Sequence, residues 1–243
     1  MNRVTMAVEA NLSETVRMTQ IVTSGISAIC DPLGALWLPD SGMLVVSDLH
    51  LEKSAAFARR GMLLPPYDTA LTLKLLASVI DRYRPGCVIS LGDSFHDKEG
   101  AANLNEGDAE RLKDMMKGRD WYWIAGNHDP DRPSGLPGDC AEELYCDGLV
   151  FRHEPAADRA DAVGEIAGHL HPAARVVRQG KGVRRACFAG DGERLVMPAF
   201  GVMTGGLSLK HPALNRLFDQ QRLTAHLLGR DRVYSVPFSR LVA

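Results

Sequence analysis

The sequence predicts an α/β fold built as a single domain, on three observations. Short apolar runs alternate with amphipathic stretches, the first of strand length and the second of helix length. No repeat, low-complexity tract or compositional shift divides the 243 residues, and at 45% hydrophobic content they can bury one core of the larger sort. Five apolar runs stop at Asp, Asn or His, which suits the carboxyl ends of strands, where the loops of a layered α/β fold converge on a site.

The first twenty residues are polar, without a signal-like apolar run, and are expected to form a flexible arm ahead of a domain spanning 21–243. "GALWLP" and "MLVVSD" flank a Pro-Asp-Ser-Gly turn at 39–42 and predict a hairpin. "KSAAFARRG" predicts a short helix closed by Gly61. "TALTLKLLASVIDRY" predicts a core-facing helix with Leu71, Leu75 and Val79 on its stripe and Asp68 as N-cap. "GCVISLGD" is a buried strand ending in Asp93, "NEGDAERLKDMMKG" a second amphipathic helix, and "WYWIAGNHD" a strand ending in Asn127, His128 and Asp129. "GLVFRHE" leads to His153 and "GEIAGHLH" to His169 and His171, after which the chain reads as mostly β with tight turns.

Composition excludes several classes. The net charge of −2 and pI near 6.4 do not fit a broad basic face for nucleic acid, so any such contact is local. One candidate is "RVVRQGKGVRR", a hairpin tip around a Gly-x-Gly turn carrying Arg175, Arg178, Lys181, Arg184 and Arg185, although exposed hairpins are also charged simply to stay solvated. No run approaches the length of a membrane span, and a soluble, cytoplasmic protein is expected. Five scattered cysteines without a CxxC pair are expected to be reduced thiols.

Asp48, His50, Asp93, Asn127, His153, His169 and His171 supply two carboxylates, one amide and four imidazoles. Groups in that number either hydrogen-bond one another or surround something positive. A pair of divalent metals fits, and mixed nitrogen and oxygen donors without thiolate suit Mn, Fe, Zn, Ni or Co. Alternation in an extended chain is expected to turn Asp48 and His50 to one side while Leu49 enters the core, with His169 and His171 repeating the device around Leu170. At the Gly-Asn-His-Asp turn, Asn127 is free to ligate while His128 faces substrate. Two metals about 3.5 to 4 Å apart clamp a phosphoryl group and lower the pKa of the water between them.

The ordered pieces Asp48-Leu49-His50, Gly92-Asp93, Gly126-Asn127-His128-Asp129, His153 and Gly168-His169-Leu170-His171 resemble the calcineurin-like metallophosphoesterases. The resemblance implies a four-layer α/β/β/α fold, a two-sheet β-sandwich flanked by helices. It implies one metal held by Asp48, His50, Asp93 and His171, and a second held by the bridging Asp93 with Asn127, His153 and His169. It also implies His128 as the acid facing the leaving group, with a metal-bridging hydroxide attacking phosphorus in line. Many members read G-D-x-x-D, whose second Asp orients the histidine; here His96 stands there and Asp97 follows, and the orienting role stays open between them.

"SDLHLEKSAAFARRGMLLPPYDT", "SLGDSFHD", "IAGNHDP", "GHLHP" and "MPAFG" are similar to a bacterial group, the PdeM ligase-associated endonucleases. That similarity implies a manganese-type phosphodiesterase acting on DNA in repair, in association with an ATP-dependent DNA ligase, a helicase and a nuclease. The competing readings are a phosphatase, pyrophosphatase or cyclic phosphodiesterase acting on a small molecule, and a scaffold that has kept the fold alone. Lys53, Arg59 and Arg60 are candidates for substrate phosphates or for a solvated helix face. Asp129 is a candidate support for the site, Gly201 to Gly206 a tight turn beside it, and His211 and His226 surface or packing residues. Trp37, Trp121 and Trp123 are expected to pack in the core.

Overall fold

The computed structural model describes residues 18–242, and of Arg178 only the backbone. The arm expected over residues 1–20 lies outside the described residues except at its end, where Thr19 and Gln20 already belong to a strand. A meander of β1 (Thr19–Thr23), β2 (Ile26–Cys30), β3 (Leu36–Leu38) and β4 (Met43–Val46) opens the first sheet with antiparallel neighbours. From β4 the sheet turns parallel through β5 (Cys87–Leu91), β6 (Asp120–Ile124) and β7 (Asp139–Ala141). Parallel strands need crossovers. Helices α1 (Lys53–Arg59) and α2 (Asp68–Tyr83) fill the first, and α3 (Gly100–Asn103) and α4 (Glu106–Met116) the second.

The second sheet is mixed. It contains β8 (Glu143–Cys146), β9 (Leu149–Arg152), β10 (Glu165–Ala167), β11 (Pro172–Arg178), β12 (Lys181–Gly190), β13 (Arg194–Val196), β14 (Leu207–Ser208), β15 (Thr224–Leu228) and β16 (Val233–Pro237). The order is β14-β11-β12-β13-β10-β9-β8, with β15 joining β12 and β16 joining β15. The short helix α5 (Pro212–Asn215) and its flanking loops cover the outer face.

Alternation within single strands sorts the layers. Met43 and Val45 of β4, with Ile89 and Leu91 of β5, face Phe151, Ile166, Phe188 and Leu195 of the second sheet. Their neighbours Leu44, Val46 and Val88 face outward, onto Leu73, Leu76 and Val79 of α2 and Leu112 and Met116 of α4. All three tryptophans pack in or against this outer cluster, as their spacing predicts. Among the described residues no helix is long and apolar enough to cross a membrane.

Helix α2 departs from its predicted stripe. Its buried line is Thr69, Thr72, Leu73, Leu76, Val79 and Ile80, while Leu71 and Leu75 lie half-buried on the flank. Asp68 is the first helical residue rather than the cap, because its carboxylate is drawn to α1, accepting from the Ser54 N–H at 3.0 Å and the Ser54 hydroxyl at 2.5 Å.

A buried charge network locks the chain just beyond His153. Glu165 and Arg194, 0% and 1% exposed, form an ion pair, and Arg152 approaches Glu165 at 3.5 Å. Glu165 accepts from the Ala156 N–H at 2.7 Å, while Arg194 donates to the Ala156 and Leu217 carbonyls at 2.5 and 2.9 Å. Removing one partner of a buried pair strands the other charge. Arg194→Met is therefore expected to cost about 3 to 5 kcal/mol in urea unfolding, with Glu165→Leu added to it recovering much of the loss. An unchanged midpoint for the single variant would exclude this role.

Candidate metal centre

The strands stop short of the chemistry. β4, β5, β9 and β10 end at Val46, Leu91, Arg152 and Ala167, and the polar residues follow in the loops. Asp48, His50, Asp93, His169 and His171 have φ of 54°, 45°, 46°, 67° and 42°, in the left-handed region. The extended alternation expected for Asp48-Leu49-His50 and His169-Leu170-His171 is thus replaced by left-handed residues at alternate positions. The outcome for Leu49 is the same, for it is 1% exposed in the core. A left-handed non-glycine residue costs on the order of 1 to 3 kcal/mol, and such strain gathers at functional sites.

Two glycines make the loops fit together. A Cβ on Gly126 would lie 2.1 Å from the Asp93 nitrogen, and one on Gly168 would lie 1.9 Å from the Ser47 hydroxyl oxygen. The loops after β6 and β10 therefore touch those after β5 and β4 through bare backbone.

Two Asp/His groups result, Asp48 with His50 and His171, and Asp93 with His153 and His169, each with its donor atoms within 4.8 Å of one another. In the first, His171 Nε2 is 3.0 Å from Asp48 Oδ1 and 3.4 Å from His50 Nε2. In the second, His153 Nε2 is 3.5 Å from Asp93 Oδ1 and 3.1 Å from His169 Nδ1. Asp93 faces both, since its Oδ2 lies 3.9 Å from His50 Nε2. Asn127 is exposed and lines one cavity with His153.

Hydrogen bonding to carbonyls fixes which nitrogens look inward. His171 Nδ1 sits 3.2 Å from the Gly205 carbonyl and His153 Nδ1 sits 2.9 Å from the Leu91 carbonyl. A carbonyl only accepts, so each Nδ1 carries hydrogen and each neutral ring turns a bare Nε2 lone pair towards a carboxylate. Facing acceptors need a cation between them. Burial, with nearby cations, pushes His50 down to about 3, and burial also lowers His169, which keeps both neutral as ligands must be. Burial alone would raise the Asp48 carboxyl, but His171, His153 and the Ser47 hydroxyl at 2.5 Å hold it below its ordinary value. Burial likewise opposes protonation of His171, yet its hydrogen bond to Asp48 and the Asp48 charge outweigh burial and raise its pKa. The donor set fits divalent metal.

His128 stands at the mouth, its side chain 45% exposed and its Nε2 3.9 Å from Asp93 Oδ2. Its backbone N–H donates to Asp93 Oδ1 at 2.9 Å. The acceptor for its Nδ1 is the backbone carbonyl of His96, at 2.8 Å, and neither the His96 nor the Asp97 side chain. The His96 ring instead stacks on that of His128, centroids 5.1 Å apart, and burial, with nearby cations, pushes it down to about 4. Asp97 is engaged by Arg59, which also approaches Glu99 at 3.9 Å, so Arg59 braces this loop rather than standing free for phosphate. Asp129 accepts from the Phe95 N–H at 3.0 Å, and burial raises its carboxyl to about 7. Lys53 is half-buried and Arg60 exposed.

The Gly201–Gly206 stretch is a turn beside the site. Gly201 N–H donates to the Asp48 carbonyl at 3.2 Å, and Leu207 N–H to the His171 carbonyl at 2.9 Å. Arg184 reaches it from the β11–β12 hairpin, donating to the Gly206 carbonyl. The hairpin turns at Gln179-Gly180, with φ of 50° and 73°, one step before the expected Gly-x-Gly, because Arg178 pairs with Lys181. Lys181, Arg184 and Arg185 are exposed, and the Arg175 guanidinium lies over Gly182, where a Cβ would come within 2.9 Å of it. His211 caps α5 and His226 bonds Ser235 at 2.8 Å, both apart from the centre. All five cysteines are free. Missed from the sequence were Ser47 and the carbonyls of Leu91, His96 and Gly205. Ser47 had a signal, a hydroxyl at a strand's end; a carbonyl has none.

The crystal structure of Pseudomonas putida nuclease MPE is similar over 90% of this chain and 100% of its own, at 25% identity and a TM-score of 0.71. YfcE, a phosphoesterase from E. coli, matches over 81% of this chain and 98% of its own at 15% identity, and AQ665, a protein of unknown function from Aquifex aeolicus, over 57% and 81% at 17%. Both have TM-scores of 0.38, too low to support an argument. No curated protein matches. The family model for calcineurin-like phosphoesterases matches residues 43–191, from the start of β4 to just past β12 and through all seven candidate ligands. The chain belongs to the calcineurin-like phosphoesterase family, a family of phosphoric ester hydrolases that use divalent metals.

Proposed function

We propose that this protein is a dinuclear, divalent-metal-dependent phosphodiesterase that cleaves nucleic acid, with a role in DNA repair. The observation that carries the dinuclear reading is Asp93, one carboxylate facing both Asp/His groups. Asp48, His50 and His171 would hold one ion, and Asn127, His153 and His169 the other. Bound there, the ions would clamp the phosphoryl oxygens and lower the pKa of water between them. The chain's own groups do the rest. Asp48 and Asp93 offset the added charge, the carbonyls of Leu91 and Gly205 fix the ligand tautomers, and His128, as the imidazolium with its Nδ1–H on the His96 carbonyl, would give its Nε2 proton to the departing oxygen. Nitrogen and oxygen donors without thiolate favour manganese-type ions over magnesium or calcium.

Nucleic acid as substrate is supported by the likeness to a nuclease at 25% identity and by the exposed cations of the β11–β12 hairpin. The similarity to the PdeM group supports DNA repair and an association with a ligase, a helicase and a nuclease. A non-catalytic scaffold is disfavoured because every candidate ligand and His128 are retained. The deciding experiment measures manganese-dependent hydrolysis of bis-p-nitrophenyl phosphate beside p-nitrophenyl phosphate, with chelated protein as the blank. Diester turnover supports the reading; monoester turnover alone would move it to a phosphatase.

If Lys181 and Arg185 contact phosphates, changing both to Glu should weaken oligonucleotide binding. It should also flatten the slope of log K against log salt by about 0.7 per lost single-strand contact. An unchanged slope in a fluorescence-anisotropy titration would leave these residues a solvation role alone.

A further inference from the structure

The two ends of the metal centre carry opposite charge. At the end formed by Asp48, His50 and His171, Lys53 begins α1 three residues after His50, half-buried. Among the described residues its ammonium makes no hydrogen bond or ion pair. Of the nearby carboxylates, Asp68, whose charge reaches Lys53, accepts hydrogen bonds from Ser54 instead, and Glu52 accepts from the Thr69 hydroxyl at 2.9 Å. The Lys53 charge is felt at His96, second to burial, and at His50, behind burial, Asp48 and His171. Arg184, on the Gly206 carbonyl beside the carbonyl that holds His171, adds a second cation at this end.

The end formed by Asp93, His153 and His169 is acidic. Glu142, Glu143 and Glu154 line the cavity shared by Asn127 and His153. The one cation lining it, Arg152, is bound to Glu143 at 3.1 Å and Glu165 at 3.5 Å. Glu142 and Glu154 are exposed, and the Glu154 charge reaches His169.

A half-buried ammonium next to a divalent-metal centre suffers repulsion unless an anion lies near both, and a carboxylate rim repels a phosphate that approaches it. A strand crossing the centre therefore meets favourable charge on one side of the scissile phosphate and unfavourable charge on the other. We propose that nucleic acid binds with a neighbouring phosphate on the Lys53 side only, and that the Glu142 and Glu154 side receives sugar or base without a phosphate contact. The proposal rests on the phosphodiesterase reading and adds which flanking phosphate the enzyme uses.

The test compares TpT, pTpT and TpTp, each with one internal diester, by chromatographic kcat/KM in manganese. One phosphorylated dinucleotide should be cleaved about tenfold better than TpT, the scale of one charge-assisted contact, and the other no better or worse. Lys53→Ala should remove that gain and Lys53→Arg keep it. Glu142→Gln with Glu154→Gln should raise the poorer substrate towards the better one, narrowing the ratio between pTpT and TpTp. Equal rates on all three dinucleotides beside active hydrolysis of bis-p-nitrophenyl phosphate, or a gain that survives Lys53→Ala, would overturn the one-sided arrangement alone. No turnover of bis-p-nitrophenyl phosphate would remove the phosphodiesterase reading and this inference with it.

Discussion

Asp93→Asn is expected to abolish diester hydrolysis and to reduce bound metal from two ions per chain to one or none. The carboxylate faces His153 on one oxygen and His50 on the other, and it also accepts the His128 N–H. Asn keeps the shape but offers a neutral carbonyl to one ion and an amide nitrogen, which does not ligate, to the other. Losing a group that merely hydrogen-bonds a metal ligand already costs about 10- to 100-fold in affinity or activity, so losing a carboxylate shared by two ions costs more. Elemental analysis of protein dialysed against manganese reads the stoichiometry, and circular dichroism verifies the fold. Two ions retained with undiminished turnover would mean that Asp93 is not shared.

What was legible in the sequence follows a physical line. Strands buried on both faces are written as apolar runs, so β4, β5, β6, β9 and β10 and the residues just beyond them are visible in one dimension. The candidate ligands can be named from the sequence for that reason. Short strands such as β7 (Asp139–Ala141) and β14 (Leu207–Ser208) were not legible, because they are paired through backbone and are not fully buried. The stripe on α2 was misplaced towards Leu71 and Leu75 because two threonines, Thr69 and Thr72, turn to the buried side. Their hydroxyls bind the Glu52 and Val202 N–H groups at 2.8 and 3.3 Å. Burial of polar groups that find partners is invisible to a hydrophobic period.

The Arg194 and Glu165 pair hid for the same reason, each charge standing in an apolar run with its partner 29 positions away. The local conformation of the site was the least legible part. Left-handed φ at Asp48, His50, Asp93, His169 and His171 is imposed by the packing of one loop on another, and none of these residue types signals it strongly. The orienting partner of His128 was sought among side chains and lies in the backbone.

That backbone partner shapes the prediction for His128. With Nδ1–H held by the His96 carbonyl, the Nε2 atom is the one presented at the mouth, and the stacked His96 ring limits rotation of the imidazole. His128→Ala removes the proton donor but only its backbone N–H touches Asp93, so both ions should remain. Turnover of a dinucleotide should fall by about 10²- to 10⁴-fold, the scale of general acid catalysis. The fall should be much smaller for bis-p-nitrophenyl phosphate, because p-nitrophenolate departs without a proton whereas a sugar alkoxide does not. Parallel steady-state measurements on both substrates, with metal content checked, read the difference directly. An equal loss on both would mean that His128 holds the substrate or the centre in place, and an unchanged rate on the dinucleotide would take His128 out of the chemistry.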